Sequence, residues 1–297
     1  MPANAVLPYI DAHCHTHGLP FDAWETLGSS GCAAVVLSVG NPHVYREIHP
    51  EVPDWNVMRH YWEGAIRFAP EAERTHFMKV FVAVGISFMT YWREWQLAID
   101  ALPEFLRMPH VVAIGETGID PWQYWGYQWP ADEGEQAFAE QIRIAKEHDL
   151  PVILHTPTQR KGFMPEMPPD RYKRHFLDQD LEIINRIGLD HRRIVIDHAD
   201  ETILEHALKE TKAYIGIGVG VTLRRTGPIF FADTIERFGS ERFLINTDHM
   251  AELACDLLAV PKTIREMRRR GIDEASIHRV VFDNANECFR LGLADGR

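Results

Sequence analysis

No stretch of this 297-residue sequence is both long and apolar enough to cross a bilayer as a helix, so a membrane-spanning role is not expected. Positive charge is scarce. The chain has 31 lysines and arginines against 43 aspartates and glutamates, a formal net charge of −12, which disfavours long-range attraction to nucleic acid or an anionic membrane but leaves room for a local basic site. Only four cysteines occur, Cys14, Cys32, Cys255 and Cys288, far apart and without a CxxC pair; they read as buried thiols, not as a zinc knuckle or a disulfide framework. Met1 to Val6 lack the basic start and apolar core of a secretory signal, and cytoplasm is the expected location. Low-complexity linkers and short repeats are missing, which favours one domain over residues 1–297. So is a glycine-rich phosphate turn after an early strand, which argues against a doubly wound open sheet.

What is present is alternation. Short β-branched runs recur at Tyr9 to His15, Ala33 to Val39, Lys79 to Ile86, Val111 to Glu116, Val152 to His155, Arg193 to His198, Ala213 to Val219 and Phe243 to Asp248. Helical patterns lie between them, as at Glu133 to His148, Phe176 to Ile187, Glu201 to Glu210 and Pro228 to Phe238. Eight such repeats predict an α/β chain folded as a single (β/α)8 TIM barrel, since parallel strands need crossover helices. Enlarged loops are expected after strands 2, 4 and 5: residues 41 to 76, with Trp55, His60, Tyr61 and Trp62; the aromatic run 121 to 131; and residues 156 to 175, with Arg160, Lys161, Arg171, Lys173 and Arg174. In such a barrel these segments leave the C-terminal ends of the strands, where active sites are built.

The strands finish in a telling way. The first carries His13 and His15, which alternation puts on one side, about two strand rises apart and within reach of one ion. Cys14 should face the other way. The fourth strand ends at Glu116, the fifth at His155, the sixth at His198 and the eighth at Asp248; each of the first three continues an apolar row, with Ile114, Ile153 and Ile196. Any one of these alone is an ordinary strand-end residue. Together they are six candidate metal ligands, and six mixed histidine and carboxylate ligands suit two divalent ions better than one.

The motifs Asp11-Ala12-His13-Cys14-His15, Gly115-Glu116-Thr117-Gly118-Ile119-Asp120, Leu150 to His155, Thr247-Asp248 and Asn284-Ala285-Asn286 resemble the successive signatures of TatD-type metal-dependent hydrolases, within the amidohydrolase superfamily. The segment Gln136 to His148 is similar as well. The resemblance implies that His13, His15 and Asp248 hold one ion and His155 and His198 the other, with Glu116 bridging. It implies hydrolysis of a phosphoester at a small molecule or a nucleic-acid end, as by a deoxyribonuclease. Asp248 and Glu116 are the expected catalytic residues, Asp248 orienting the attacking hydroxide and accepting its proton. Zinc is the first expectation, with manganese or magnesium as alternatives, since ligand type alone does not choose among them. Two turns depart from the pattern. The chain has His198-Ala199-Asp200-Glu201 where TatD-type enzymes have a Cys-Phe-Ser-Gly-like turn after the histidine, and Asn246-Thr247-Asp248 where they have Glu-Thr-Asp. The first is closer to phosphotriesterase-like members of the superfamily, which bridge their metals with a modified lysine where this chain has Glu116.

Substrate contacts are expected from Arg224 and Arg225, whose guanidinium groups could clamp a phosphate or carboxylate, and from Trp122 and Trp125 in the aromatic run, which could stack a base or enclose a leaving group. A solvated arginine pair and a loop packed on itself are the plain counterparts. His17 falls past the first strand, outside the ligand set, and Arg265 to Arg270 read as an exposed helix face. Two other functions fit the same residues: hydrolysis of a small-molecule amide or lactone, and a metal-containing barrel without turnover.

Overall fold

Eight strands alternate with helices along the chain, and the sheet runs in sequence order from β1 to β8. The structure, a computed structural model, describes residues 6–15, 21–40, 54–89, 91–121, 129–221, 226–249 and 255–294. The strands are β1 (Tyr9–Cys14), β2 (Cys32–Ser38), β3 (Lys79–Val84), β4 (Val111–Thr117), β5 (Val152–Leu154), β6 (Ile194–Ile196), β7 (Tyr214–Gly218) and β8 (Phe243–Asn246). Pairing is parallel for β1 with β2 and for each step from β3 to β7. This is the (β/α)8 TIM-barrel class that the alternation predicts. β1, β5, β6 and β8 are buried along their whole length, as strands covered on both faces must be.

The helices are α1 (Phe21–Ser29), α2 (Trp55–His76), α3 (Trp95–Phe105), α4 (Ala131–His148), α5 (Pro169–Ile187), α6 (Leu204–Glu210), α7 (Pro228–Phe238) and α8 (Ala259–Arg269), followed by α9 (Glu274–His278), a π-helical turn (Arg279–Asp283) and α10 (Asn284–Cys288). Their ends follow local chemistry. α4 has Asp132 and Glu133 in its first turn and Lys146 and His148 in its last, matching the helix dipole. α5 opens with Pro169 and stops at Gly188, whose φ of 77° is a left-handed cap. Much of the stretch 41 to 76 is therefore helical: α2 is the crossover from β2 to β3, while 41–53 lie outside the described residues. The helix expected from Phe176 starts about two turns earlier, at Pro169.

The chain divides into two compact units, Met1–Leu37 with Phe68–Phe81 and Gly216–Arg297, and Ser38–Arg67 with Val82–Ile215. In the first, the late arginines are matched by acids: Arg268 bonds Glu274, Arg269 bonds Glu266, and Arg270 bonds Glu266, Asp233 and Glu236. In the second, α4 presents Ala137, Phe138, Gln141, Ile142 and Ala145 on one buried face. Gln141 is the polar member of that stripe. Its amide oxygen accepts from the Ile86 N–H at 2.7 Å and its nitrogen donates to Thr117 Oγ1 at 2.9 Å, tying the segment after β3 to the end of β4. Trp129 is also buried there, against Phe88, Tyr91 and Trp95 at ring distances of 4.9, 5.2 and 6.2 Å. It is a packing residue, the described end of the aromatic run. Among the described residues no helix is long and apolar enough to cross a membrane.

Candidate functional site

In the first unit, β1 and the end of β8 are zipped together around three donors. The Asp248 N–H donates to the His13 carbonyl at 3.0 Å and the His15 N–H to the His249 carbonyl at 2.7 Å. Asp11, one step below His13 on the same row, accepts the Thr247 N–H at 2.9 Å through Oδ1 and the Thr247 hydroxyl through Oδ2. Burial pushes the Asp11 carboxyl up, against the pull of His249 and Thr247. On this frame His13 Nε2 lies 3.0 Å from His15 Nε2, and His15 Nε2 lies 3.5 Å from Asp248 Oδ1. All three side chains are buried. Cys14 is buried between the two histidines, and burial, with Asp11, pushes its thiol well up.

The second unit builds another triad. Between β4 and β5 the register steps from Gly115↔Ile153 to Thr117↔Leu154, so Glu116 is the unmatched residue of a bulge. A bulge re-aims its side chain, so simple alternation does not account for where Glu116 points. Its N–H donates to Ser38 Oγ at 2.5 Å. Glu116 Oε2 lies 3.2 Å from His155 Nδ1 and 3.1 Å from His198 Nε2, and the two imidazoles meet edge to face at 4.9 Å. Burial pushes the His155 imidazole down, but the Glu116 carboxylate, with help from Asp120, outweighs it and lifts the pKa to about 10. His155 Nε2 lies 3.4 Å from Asp120 Oδ2.

His198 sits just past β6 with φ 57°, and Asp248 just past β8 with φ 50°. Both are left-handed, which is uncommon for residues other than glycine and persists only where neighbours fix it. For His198 they do. Its N–H donates to Asp197 Oδ1 at 2.8 Å and its carbonyl accepts from Lys173 Nζ at 2.5 Å. Burial would raise the Asp200 carboxyl, yet Lys173 and Thr202 together hold it below the usual range.

Both triads fit a divalent ion. Zn–N bonds of 2.0–2.1 Å put neighbouring ligands of a tetrahedral ion roughly 3.3 Å apart, and the observed donor separations run from 3.0 to 3.5 Å. Within each triad the donor atoms all lie within 4.8 Å of one another. Three protein donors leave a coordination position for water or substrate. His155 presents Nδ1 to the triad and Nε2 to Asp120, the carboxylate–histidine arrangement that orients a metal ligand from behind.

The six strand-end residues thus fall into two groups of three, His13 with His15 and Asp248, and Glu116 with His155 and His198. Arg224, Arg225, Trp122, Trp125 and His17 lie outside the described residues. The sequence alone assigned no site role to Asp11, Asp120, Asp197, Lys173 or Asp200. For two of these a signal existed: Asp11 shares the parity of His13, and Lys173 interrupts the apolar stripe of α5.

A family model described as TatD related DNase matches residues 10–290. An uncharacterised metal-dependent hydrolase of Methanocaldococcus jannaschii is 28% identical over 282 residues, 95% of this chain and all of that protein. A 3'-5' ssDNA/RNA exonuclease TatD of Shigella flexneri is 39% identical over 77 residues, 26% of this chain and 28% of that protein. Among solved structures, a TatD-like protein from Archaeoglobus fulgidus superposes with a TM-score of 0.70 at 23% identity, covering 95% of this chain and all of that one.

Proposed function

Since the chain belongs to the TatD family of metal-dependent hydrolases, we propose that it hydrolyses a phosphoester with two divalent ions, one held by each triad. The observation that carries this reading is that six buried donors are gathered in threes at ion-sized separations. His13, His15 and Asp248 would hold one ion, and Glu116, His155 and His198 the other. Zinc suits these nitrogen-rich sets, and manganese would also be accepted. When bound, such ions act as Lewis acids on the scissile group and lower the pKa of water toward ~7.

The protein's own contribution is placement. Asp248 is the proton acceptor in this reading, its backbone fixed by His13 and its position set one residue beyond the Asp11–Thr247 clip. Asp120 fixes the His155 ring so that Nδ1 faces Glu116. Arg160, Lys161, Arg171 and Arg174 are exposed between β5 and the first turns of α5, in a chain whose net charge is −12. They supply local positive charge for a phosphate backbone. The relative named as an ssDNA/RNA exonuclease supports a nucleic-acid end as the substrate.

The test is a turnover panel: short single- and double-stranded DNA and RNA, phosphomonoesters, lactones and amides, each with and without chelator. Chelator-sensitive release of nucleotides from a single-stranded end is expected. Lactone or amide turnover without any phosphoester cleavage would keep the metal core and overturn the choice of bond.

A further inference from the structure

We propose that Lys173 and Asp200 are positioning residues for the second ion: from α5 and the turn after β6 they hold His198 in the one backbone state that aims its Nε2 at Glu116. This rests on the reading that Glu116, His155 and His198 form an ion site. Lys173 lies in the buried stripe of α5, beside Tyr172, Phe176 and Leu177, and is 3% exposed. An apolar side chain would suit that stripe better, because taking an ammonium and a carboxylate out of water is unfavourable unless their bonds are well made. They are. Nζ donates to the His198 carbonyl at 2.5 Å and to Asp200 Oδ2 at 2.9 Å, and Asp200 Oδ1 accepts from the Thr202 N–H at 3.0 Å and its hydroxyl at 2.5 Å.

The effect is to fix the peptide that follows His198, while Asp197 Oδ1 fixes the peptide before it. A histidine at φ 57° needs such support, since its left-handed state is disfavoured when left to itself. With both flanking peptides anchored, only the side-chain torsions remain, and these bring Nε2 to 3.1 Å from Glu116 Oε2. Releasing the carbonyl lets the turn relax toward right-handed geometry and swings the imidazole away from the other two donors.

The test is metal affinity, not turnover. Metal-free protein is titrated with zinc against a chromophoric chelator, for the unaltered chain, for Lys173→Met/Asp200→Asn, which removes both charges of the pair together, and for Lys173→Arg, which keeps a donor for the His198 carbonyl. The double variant should bind one ion as tightly as the unaltered chain and the other about 10–100-fold more weakly. Lys173→Arg should recover most of that loss. If the double variant does not fold, Asp200→Asn takes its place and should weaken the same ion alone. Unchanged affinity for both ions, or equal weakening of both, overturns the positioning role. An unaltered chain that binds fewer than two ions overturns instead the two-ion reading on which it stands.

Discussion

Asp248 and Asp180 show how burial assigns different work to the same side chain. Asp248 faces two imidazoles across a triad, and replacing it with asparagine keeps its size while removing the anionic donor and proposed proton acceptor. Asp248→Asn is expected to lower turnover by about 10²–10⁴-fold with the circular dichroism spectrum unchanged; a loss under tenfold would remove it from the chemistry. Asp180 is fully buried on α5, accepts the Ile119 N–H at 3.1 Å, and is pushed well above the usual carboxyl range by burial. Its folded-state pKa is raised, so the native chain keeps a proton that the unfolded chain releases above about pH 3.9. Its contribution to stability is therefore whole below that pH and declines by about 1.4 kcal/mol per unit as pH rises toward the folded-state value. Asp180→Asn keeps the acceptor without the proton. Its unfolding free energy, measured by denaturant from about pH 5 to about pH 8, should fall less steeply with pH than that of the unaltered chain; parallel curves would show that Asp180 is ionised in the fold. The histidines were legible in the sequence because spacing and strand position expose them. Asp120 was not, because its partner His155 is distant along the chain and only folding brings Oδ2 to within 3.4 Å of it.

At the level of elements, the candidate ligands are set where strands stop. His15, His155, His198 and Asp248 each fall just past the last strand residue; the N–H groups of His15, His155 and Asp248 still bond a carbonyl on or just beyond the neighbouring strand, and Asp197 and Lys173 hold the peptides on either side of His198. Glycines let the neighbouring turns come close. At Gly118, φ is 145° and a Cβ would stand 2.6 Å from the His155 carbonyl oxygen. Gly118→Ala should destabilise by about 1–3 kcal/mol and, by shifting His155, lower metal affinity at Glu116–His155–His198 while leaving His13–His15–Asp248 unchanged. An equal loss at both triads would mean a general loosening. Period-two alternation was enough to find the strands, and the helix bounds at Pro228–Phe238 follow directly from a proline start and a glycine stop. It could not foresee the bulge at Glu116, because a one-residue mismatch between β4 and β5 leaves no mark in either strand alone. Nor could it place the start of α5, where Pro169 in a polar stretch hides the first turn.

For the molecule as a whole, eight strand–helix repeats made the fold readable, since parallel pairing through crossovers allows few alternatives. The substrate was less readable, because loops decide it and their shape depends on contacts no local pattern encodes. The net charge of −12 gives one global expectation. If basic side chains after β5 engage a phosphate backbone, kcat/KM on single-stranded DNA should fall several-fold as salt rises from about 50 to about 200 mM, whereas turnover of an uncharged ester stays flat. Equal salt response for both would remove the proposed backbone contacts. The central claim, an ion at each triad, is tested most directly by metal content. Elemental analysis after zinc reconstitution and desalting should find about two ions per unaltered chain and about one each for His15→Ala and His198→Ala; no stable metal in the unaltered chain, or two ions retained in both variants, would contradict it.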